Sequence, residues 1–245
     1  MAFVAGGKVL DAPVNGGKIT VLGAGSNPDY SLDGRAITWQ NGGSVVFIRD
    51  GKKSVVGPGS NPTVTDAERL HGQTVSSWGV SFDSPAKLSS EDSNPGIDTY
   101  LRVFGPQGGP KRTDLITYAE SKVHFTPAGD NYNGGITAYG TNRGILTFIH
   151  KDATSTDAYY WNQHTGNADD TVHAATLTTG EAGITQMVTS ARANFIAFTS
   201  PFTSDMSQPF AGIRERGRGP ILSLDSLFSP ATQVYFKMLV DGEAI

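Results

Sequence analysis

The 245-residue sequence contains no cysteine. Disulfide bonds and thiolate metal sites are therefore excluded, and cysteine usage gives no information on the redox state of the compartment. No apolar run approaches the roughly 18 residues of a transmembrane helix, and residues 1–10 lack the charged start and long apolar segment of a secretory signal. We therefore expect cytosolic synthesis, with incorporation into a virion as one destination.

The sequence has no excess of positive charge. It contains 19 Lys and Arg against 23 Asp and Glu, which gives a net charge of -4. Such a balance offers no general attraction to nucleic acid or to an anionic membrane. We predict protein partners, within a larger assembly or a homo-oligomer, with no nucleic-acid binding and no membrane insertion.

Motifs of catalysis and metal binding are also missing. The sequence has no Gly-x-Ser-x-Gly elbow, and its five histidines form no His-Glu-x-x-His zinc motif. Pairs of aspartates suited to glycoside hydrolysis occur only as often as chance allows in a chain so rich in loop Asp. We therefore predict no catalytic residue, no metal ligand and no cofactor, and an enzyme is the third hypothesis for this chain.

Two glycine-rich stretches resemble ligand loops without completing them. Gly23-Ala24-Gly25 follows a strand, but Pro28 occupies the place of the third glycine of a dinucleotide loop. The stretch Gly129-Asp130-Asn131-Tyr132-Asn133-Gly134 resembles the start of a calcium loop, but its twelfth position, where a bidentate Glu is needed, is Gly140. Both stretches are better explained as turns.

Glycine is abundant, because 30 of the 245 residues are glycine, a larger fraction than the usual one of about 7%. β-branched and aromatic residues fill the segments between the glycines, so the composition predicts strands joined by tight turns. For a chain of this length and composition, we expect one all-β domain, 1–245. Residues 1–22 are predicted to hold two strands, Ala2–Ala5 and Lys18–Leu22, separated by Gly6-Gly7 and the 13–17 turn region.

An internal repeat organises the rest of the chain. Gly23-Ala24-Gly25-Ser26-Asn27-Pro28 is matched 34 residues later by Gly57-Pro58-Gly59-Ser60-Asn61-Pro62. In the first repeat, Asn-Gly and Asp-Gly turns connect predicted hairpin strands. The predicted strands of this and later repeats are Ala36–Gln40, Ser44–Arg49, Lys53–Val56, Val75–Phe82, Thr99–Phe104, Asp114–Tyr118, Ile136–Tyr139, Ile145–Ile149, Ala158–Asn162, Val172–Leu177, Ile184–Val188, Asn194–Ser200 and Gln233–Leu239. We place the start of the third unit near Asn133.

The stretch Asn27-Pro28-x-x-Ser31-x-Asp33-Gly34-Arg35-x-Ile37-x-Trp39 resembles the repeat of TolB-like β-propellers, in which a Ser-x-Asp-Gly turn joins the first two strands of a blade. The likeness covers most of 26–245, but later copies lose the Asp-Gly pair. It implies a small propeller of four to five blades, and residues 1–22 are expected to close the last blade. The alternative fold is a β-sandwich or a fibre-type β domain.

Function is expected where the repeats break down, in residues 202–229. We interpret this segment as a long inserted arm, helical at most over Leu222–Phe228, that grips a carboxylate or phosphate of a protein partner. The candidate partner-binding residues are Arg214, Arg216, Arg218, Phe202 and Phe210. The chain would then be a non-catalytic structural component of a virion or another multi-subunit particle. The alternative is a lectin or sensor that binds a glycan or peptide through aromatic loops containing Tyr132, Tyr159 and Trp161.

Overall fold

The computed structural model contains β-strands and no helix in the residues that it describes, and it therefore has no helix able to cross a membrane in those ranges. The described residues are 1–31, 34–64, 78–90, 92, 95–104, 115–118, 129–138, 143–151, 156–164, 186–189, 195–200, 210–215 and 222–223. Every strand pair within them is antiparallel, as expected for consecutive hairpins.

The described strands form five sheets, and in each sheet the spatial order follows the chain order. The first sheet contains β1 (Ala2–Ala5), β2 (Lys8–Asp11) and β3 (Thr20–Ala24). The second contains β4 (Ser26–Tyr30), β5 (Ala36–Asn41), β6 (Ser44–Arg49) and β7 (Lys52–Pro58). The third contains β8 (Ser60–Val64), β9 (Trp78–Ser84), β10 (Asp98–Phe104) and β11 (Leu115–Tyr118).

The last two described sheets follow the same plan. The fourth contains β12 (Asp130–Ala138), β13 (Arg143–Lys151) and β14 (Thr156–His164). The fifth contains β15 (Gln186–Thr189), β16 (Phe195–Ser200), β17 (Phe210–Glu215) and β18 (Leu222–Ser223). The predicted strands Val172–Leu177 and Gln233–Leu239 lie outside the described residues.

The duplicated sequence is the connection between neighbouring sheets, followed by the first strand of the next sheet. Gly25 and Gly59 have φ angles of 145° and 157°. A Cβ atom at these positions would overlap the carbonyl oxygens of Gln40 and Asp83, respectively. The repeat therefore requires glycine for both its backbone conformation and its close packing.

The described part of the third unit begins at Gly129, a few residues before the predicted start near Asn133. A Cβ on Gly129 would lie 2.6 Å from the carbonyl oxygen of Lys151, which is the same kind of contact that Gly25 and Gly59 make. Asp130-Asn131 then opens β12. These residues are typical of turns, but here pairing with β13 outweighs local preference.

The N-terminal prediction missed one strand. Lys8–Asp11 is β2, which pairs with β1 and β3. Gly6 and Gly7 have φ angles of 56° and 70°, so they form the two-residue turn of a tight hairpin instead of a longer separation. That residues 1–22 close the last blade stays a prediction.

Two parts of the segment 202–229, which was predicted to be one inserted arm, are strands, and the rest of the segment lies outside the described residues. Phe210–Glu215 pairs with β16, and Leu222–Ser223 pairs with β17. The expected helical character at Leu222 is therefore replaced by a strand. Gly212 and the nearby arginines are typical of a turn, so the sequence did not predict this strand. The strand is paired with the strongly apolar β16.

The core lies between facing sheets. One cluster joins the second and third sheets through Phe47, Val56, Val80, Phe82 and Tyr100, each fully buried. Another joins the first and second sheets through Val9, Ile37, Trp39 and Val46. Because these sheets bury side chains against their neighbours, they stack face to face.

Candidate functional site

Five side chains from the second and third sheets meet at one end of those sheets. We name Arg35, Arg49, Trp78, Arg102 and Phe104 the arginine–aromatic cluster. Antiparallel pairing explains the meeting in each sheet. Arg49 ends β6 opposite Ala36, beside Arg35, while Phe104 ends β10 opposite Trp78, which begins β9.

The three guanidinium groups lie over the two aromatic rings. The Cζ atoms of Arg35 and Arg49 are 5.5 Å and 5.4 Å from the centroid of the Trp78 ring. The Cζ atoms of Arg49 and Arg102 are 5.8 Å and 5.7 Å from the centroid of the Phe104 ring. Each such cation–π contact is worth about 0.5–1 kcal/mol at an exposed site.

The two aromatic rings under the arginines are buried. Trp78 is 3% exposed and Phe104 is 5% exposed. The Phe104 ring also packs against Phe47, with centroids 4.7 Å apart and ring planes inclined at 32°. Because both rings belong to the core, the guanidinium groups that lie against them are restrained as well.

The described hydrogen bonds of the cluster involve Arg35 and Arg102. Nε and Nη2 of Arg35 donate hydrogen bonds to Oδ1 of Asp50 at 3.3 Å and 2.9 Å. Nη1 of Arg102 donates to the carbonyl oxygen of Val56. Lys52 is the register partner of Arg49 and adds a further positive charge near the edge of the cluster.

The predicted partner-binding residues are not part of this cluster. Phe210 and Arg214 lie on β17, where they are register partners of Ser200 and Ile196. Phe202, Arg216 and Arg218 lie outside the described residues. The expectation that Phe210 and Arg214 belong to an exposed loop is wrong, because both belong to a paired strand.

The predicted ligand-binding aromatics lie on two strands, which for Tyr159 and Trp161 agrees with the predicted strand Ala158–Asn162. Tyr132 lies on β12 opposite Ile149, whereas Tyr159 and Trp161 lie on β14 opposite Phe148 and Leu146. Since consecutive residues of a strand alternate between faces, the register positions of Tyr159 and Trp161 share one face and that of Tyr132 is on the other. The structure therefore does not bring these three positions together.

The partly buried Tyr30 and the fully buried Tyr100 both have raised pKa values. Burial, with the charge of Asp11 and a hydrogen bond to it, raises the pKa of Tyr30 to about 12. Burial likewise raises the pKa of Tyr100, whose hydroxyl donates to Oδ2 of Asp92 at 2.5 Å. Both phenols stay protonated at neutral pH, when neither acts as a phenolate nucleophile. In the part of the chain that the structure describes, no three His, Asp or Glu side chains form a group that could hold a metal.

Sequence reasoning missed the arginine–aromatic cluster. The sequence pattern identified Asp33-Gly34-Arg35 only as part of the repeat, and Arg49 only as the end of a strand. The available signal was the position of both arginines beside Asp-Gly turns on the same side of one predicted hairpin. The second half of the cluster comes from another sheet, which no local pattern connects with the first.

Comparison with known proteins shows the fold. No family model matches the chain, and no curated protein matches it. The structure of TolB from Acinetobacter baumannii superposes with a TM-score of 0.52 at 12% identity, covering 89% of this chain and 48% of that one. The tricorn protease superposes with a TM-score of 0.51 at 11% identity, covering 89% of this chain and 24% of that one.

The chain thus spans less than half the length of either of these proteins. At such low sequence identity, the structural similarity shows a shared fold but not a shared activity. The predicted all-β propeller fold is confirmed, in preference to the sandwich or fibre-type alternative. The number of blades and the single-domain organisation stay predictions.

Proposed function

We propose that this chain is a non-catalytic interaction propeller of the TolB-like family that binds protein partners as a structural component of a virion or another multi-subunit particle. The observation that carries the proposal is the arginine–aromatic cluster, in which Arg35 reaches solvent above the buried Trp78 ring. The Arg35 side chain is 55% exposed. Arginine beside a buried aromatic ring is a combination that is typical of residues that dominate protein interfaces.

The propeller fold supports the proposal by supplying a rigid base. Core side chains lock the second sheet to the third, so the groups at their shared end keep their spacing without a partner. A preorganised surface loses less conformational entropy on association than a mobile arm does. We therefore place the partner surface at the shared end of the second and third sheets.

Multi-angle light scattering of the purified chain, alone and mixed with each protein encoded beside it, tests this function. We expect a complex of defined mass, either a homo-oligomer or a hetero-assembly. A chain that remains monomeric in every mixture contradicts the proposal. Turnover in a panel of hydrolase substrates by a folded sample, lost on substitution of a single residue, would contradict its non-catalytic part.

The alternative of a glycan-binding or peptide-binding propeller is not favoured by a structural observation. Its candidate residues Tyr132, Tyr159 and Trp161 occupy separated register positions on two strands. A glycan array probed with the folded protein tests it. Specific binding that is lost in Trp161→Ala but kept in Arg49→Gln would favour the alternative over the interaction module.

A further inference from the structure

We propose that an apolar face of the first sheet binds the same face of a second copy of this chain, so that two copies form a dimer. This inference rests on the proposed function, which expects protein partners, and it identifies one partner and its contact surface. The apolar face consists of Met1, Phe3, Leu10 and Val21.

The register of the first sheet places these four residues on one face. Phe3 is the partner of Leu10, and Leu10 is the partner of Val21, so their side chains form a row across β1, β2 and β3. Met1 and Ala12 extend the ladder by one pair, because they exchange hydrogen bonds of 2.9 Å and 2.7 Å. Since the side chains of a strand alternate between faces, Met1 lies on the same face as Phe3.

The opposite face of the first sheet packs against the second sheet. Val9 is fully buried in the cluster that contains Trp39, and Ala2 and Leu22 pack against that cluster. One face of the sheet therefore contributes to the core, and the apolar face is turned away from the second sheet.

The apolar face is partly exposed within one chain. Met1 is 67% exposed and Val21 is 58% exposed, while Phe3 and Leu10 are partly buried. Most of the exposed large hydrophobic side chains among the described residues lie in the same N-terminal region, at Met1, Val4, Val14, Ile19 and Val21. Covering such a surface on association is favourable because it removes apolar area from water.

The charge of this face favours a second copy as the partner. Within β1, β2 and β3 the charged residues are Lys8 and Asp11, and Asp11 lies on the opposite face, beside Val9 in the alternation. A face with one lysine offers few ion pairs to a charged partner, whereas an apolar face complements itself. A twofold axis places the same surface on both subunits, so each copy supplies the apolar partner that the other needs.

The contact continues a packing that the chain already uses. The first and second sheets stack through apolar side chains, and the second and third sheets do the same. Stacking the first sheet on its counterpart in a second copy repeats this face-to-face contact.

Multi-angle light scattering of the full chain at micromolar concentrations tests the inference. We expect the wild type to have twice the monomer mass. Val21→Lys should raise the dissociation constant of the dimer by about tenfold or more, since it places a charge in an apolar contact. Val55→Lys is the matched control, because Val55 is 63% exposed on β7 and receives the same substitution, and it should dimerise like the wild type.

A single introduced cysteine locates the contact. Because the chain contains no cysteine, Val21→Cys and Val55→Cys each carry one spin label per copy. Dipolar electron paramagnetic resonance should give a shorter distance between the two labels of a dimer at position 21 than at position 55. A shorter distance at position 55 would place the contact elsewhere and overturn the inference.

The same variants separate a dimer contact from packing within one chain. A wild type that is monomeric at every concentration, a Val21→Lys dimer as tight as that of the wild type, or equal disruption by Val55→Lys would each overturn the inference. A monomeric wild type whose thermal stability falls in Val21→Lys would also overturn it, and would show that the chain's own residues cover the apolar face.

Mixtures with the proteins encoded beside this chain distinguish this failure from failure of the proposed function. A complex with one of those proteins, formed by a chain that makes no homodimer, overturns the dimer contact and leaves the interaction module standing. A chain that is monomeric alone and in every mixture overturns both.

Discussion

The side chains of Asn27 and Asn61, which occupy equivalent positions in the two copies of the repeat, are hydrogen-bonded to each other. Nδ2 of Asn27 donates to Oδ1 of Asn61 at 3.3 Å across neighbouring sheets. Nδ2 of Asn61 in turn donates to Oδ2 of Asp83 at 3.0 Å, and the hydroxyl of Thr99 donates to Oδ1 of the same carboxylate at 2.9 Å. Equivalent residues of successive repeats thus connect one blade with the next.

This relationship predicts that Asn61 has two separable roles. Its φ of 48° is unfavourable for most side chains, and its amide supports the buried Asp83. We expect Asn61→Ala to lower the free energy of unfolding by about 1–3 kcal/mol, because a buried acceptor loses a donor. Asn61→Gly relieves the backbone strain but not the lost hydrogen bonds, so urea denaturation should place it between Asn61→Ala and the wild type. Equal stability of all three proteins would contradict this assignment.

The glycines at the sheet connections should be intolerant of any side chain. Gly25→Ala and Gly59→Ala introduce a Cβ atom that overlaps a backbone carbonyl oxygen, and both positions have positive φ. We expect each substitution to lower the free energy of unfolding by about 1–3 kcal/mol or more, as overpacking does. Gly43→Ala is the control, since its Cβ would meet nothing within 4 Å and its φ is not positive. If Gly43→Ala is as damaging as Gly25→Ala in the same denaturation experiment, the close packing is not the cause.

Ionisation of Tyr30 should destabilise the protein at alkaline pH. Its pKa is raised from the ordinary 10 to about 12 on folding, so the folded state favours the neutral phenol. The stabilisation is complete below pH 10 and is lost as pH rises through the folded value of about 12. Tyr30→Phe should therefore show a shallower loss of stability than the wild type between about pH 9 and 12. Chemical denaturation across this range measures it, and identical slopes would contradict the shift.

Deletion of residues 202–229 should disrupt the fold. It removes β17 and β18 and leaves β16 without its partner on one side. An isolated strand pair is marginally stable in water, so we expect loss of cooperative thermal unfolding in this variant. A cooperative transition at the wild-type temperature, followed by circular dichroism, would show instead that the segment is dispensable.

The sequence predicts most of the second sheet but little of the site. Asn41-Gly42-Gly43 and Asp50-Gly51 predict both hairpins, and Gly42 and Gly51 have φ angles of 59° and 73° as such turns require. These predictions succeed because turn chemistry is local. The strand Phe210–Glu215 escaped detection because its pairing with β16, and not its own residues, decides its conformation.

The arginine–aromatic cluster escaped detection for a different reason. Arg49 and Trp78 belong to different sheets, and their contact arises from the stacking of those sheets. A period-two pattern identifies which residues of a strand share a face, but it does not identify what the end of that strand meets in a neighbouring blade. The tertiary arrangement was needed to find the site.

The most direct test of the account is multi-angle light scattering of the wild type, Arg49→Gln and Lys8→Gln, each mixed with the proteins encoded beside this chain. We expect a complex of defined mass for the wild type and for Lys8→Gln. In Arg49→Gln the affinity of this complex should be about tenfold lower, because a charge-assisted contact is lost. A chain that stays monomeric in all mixtures would contradict the account.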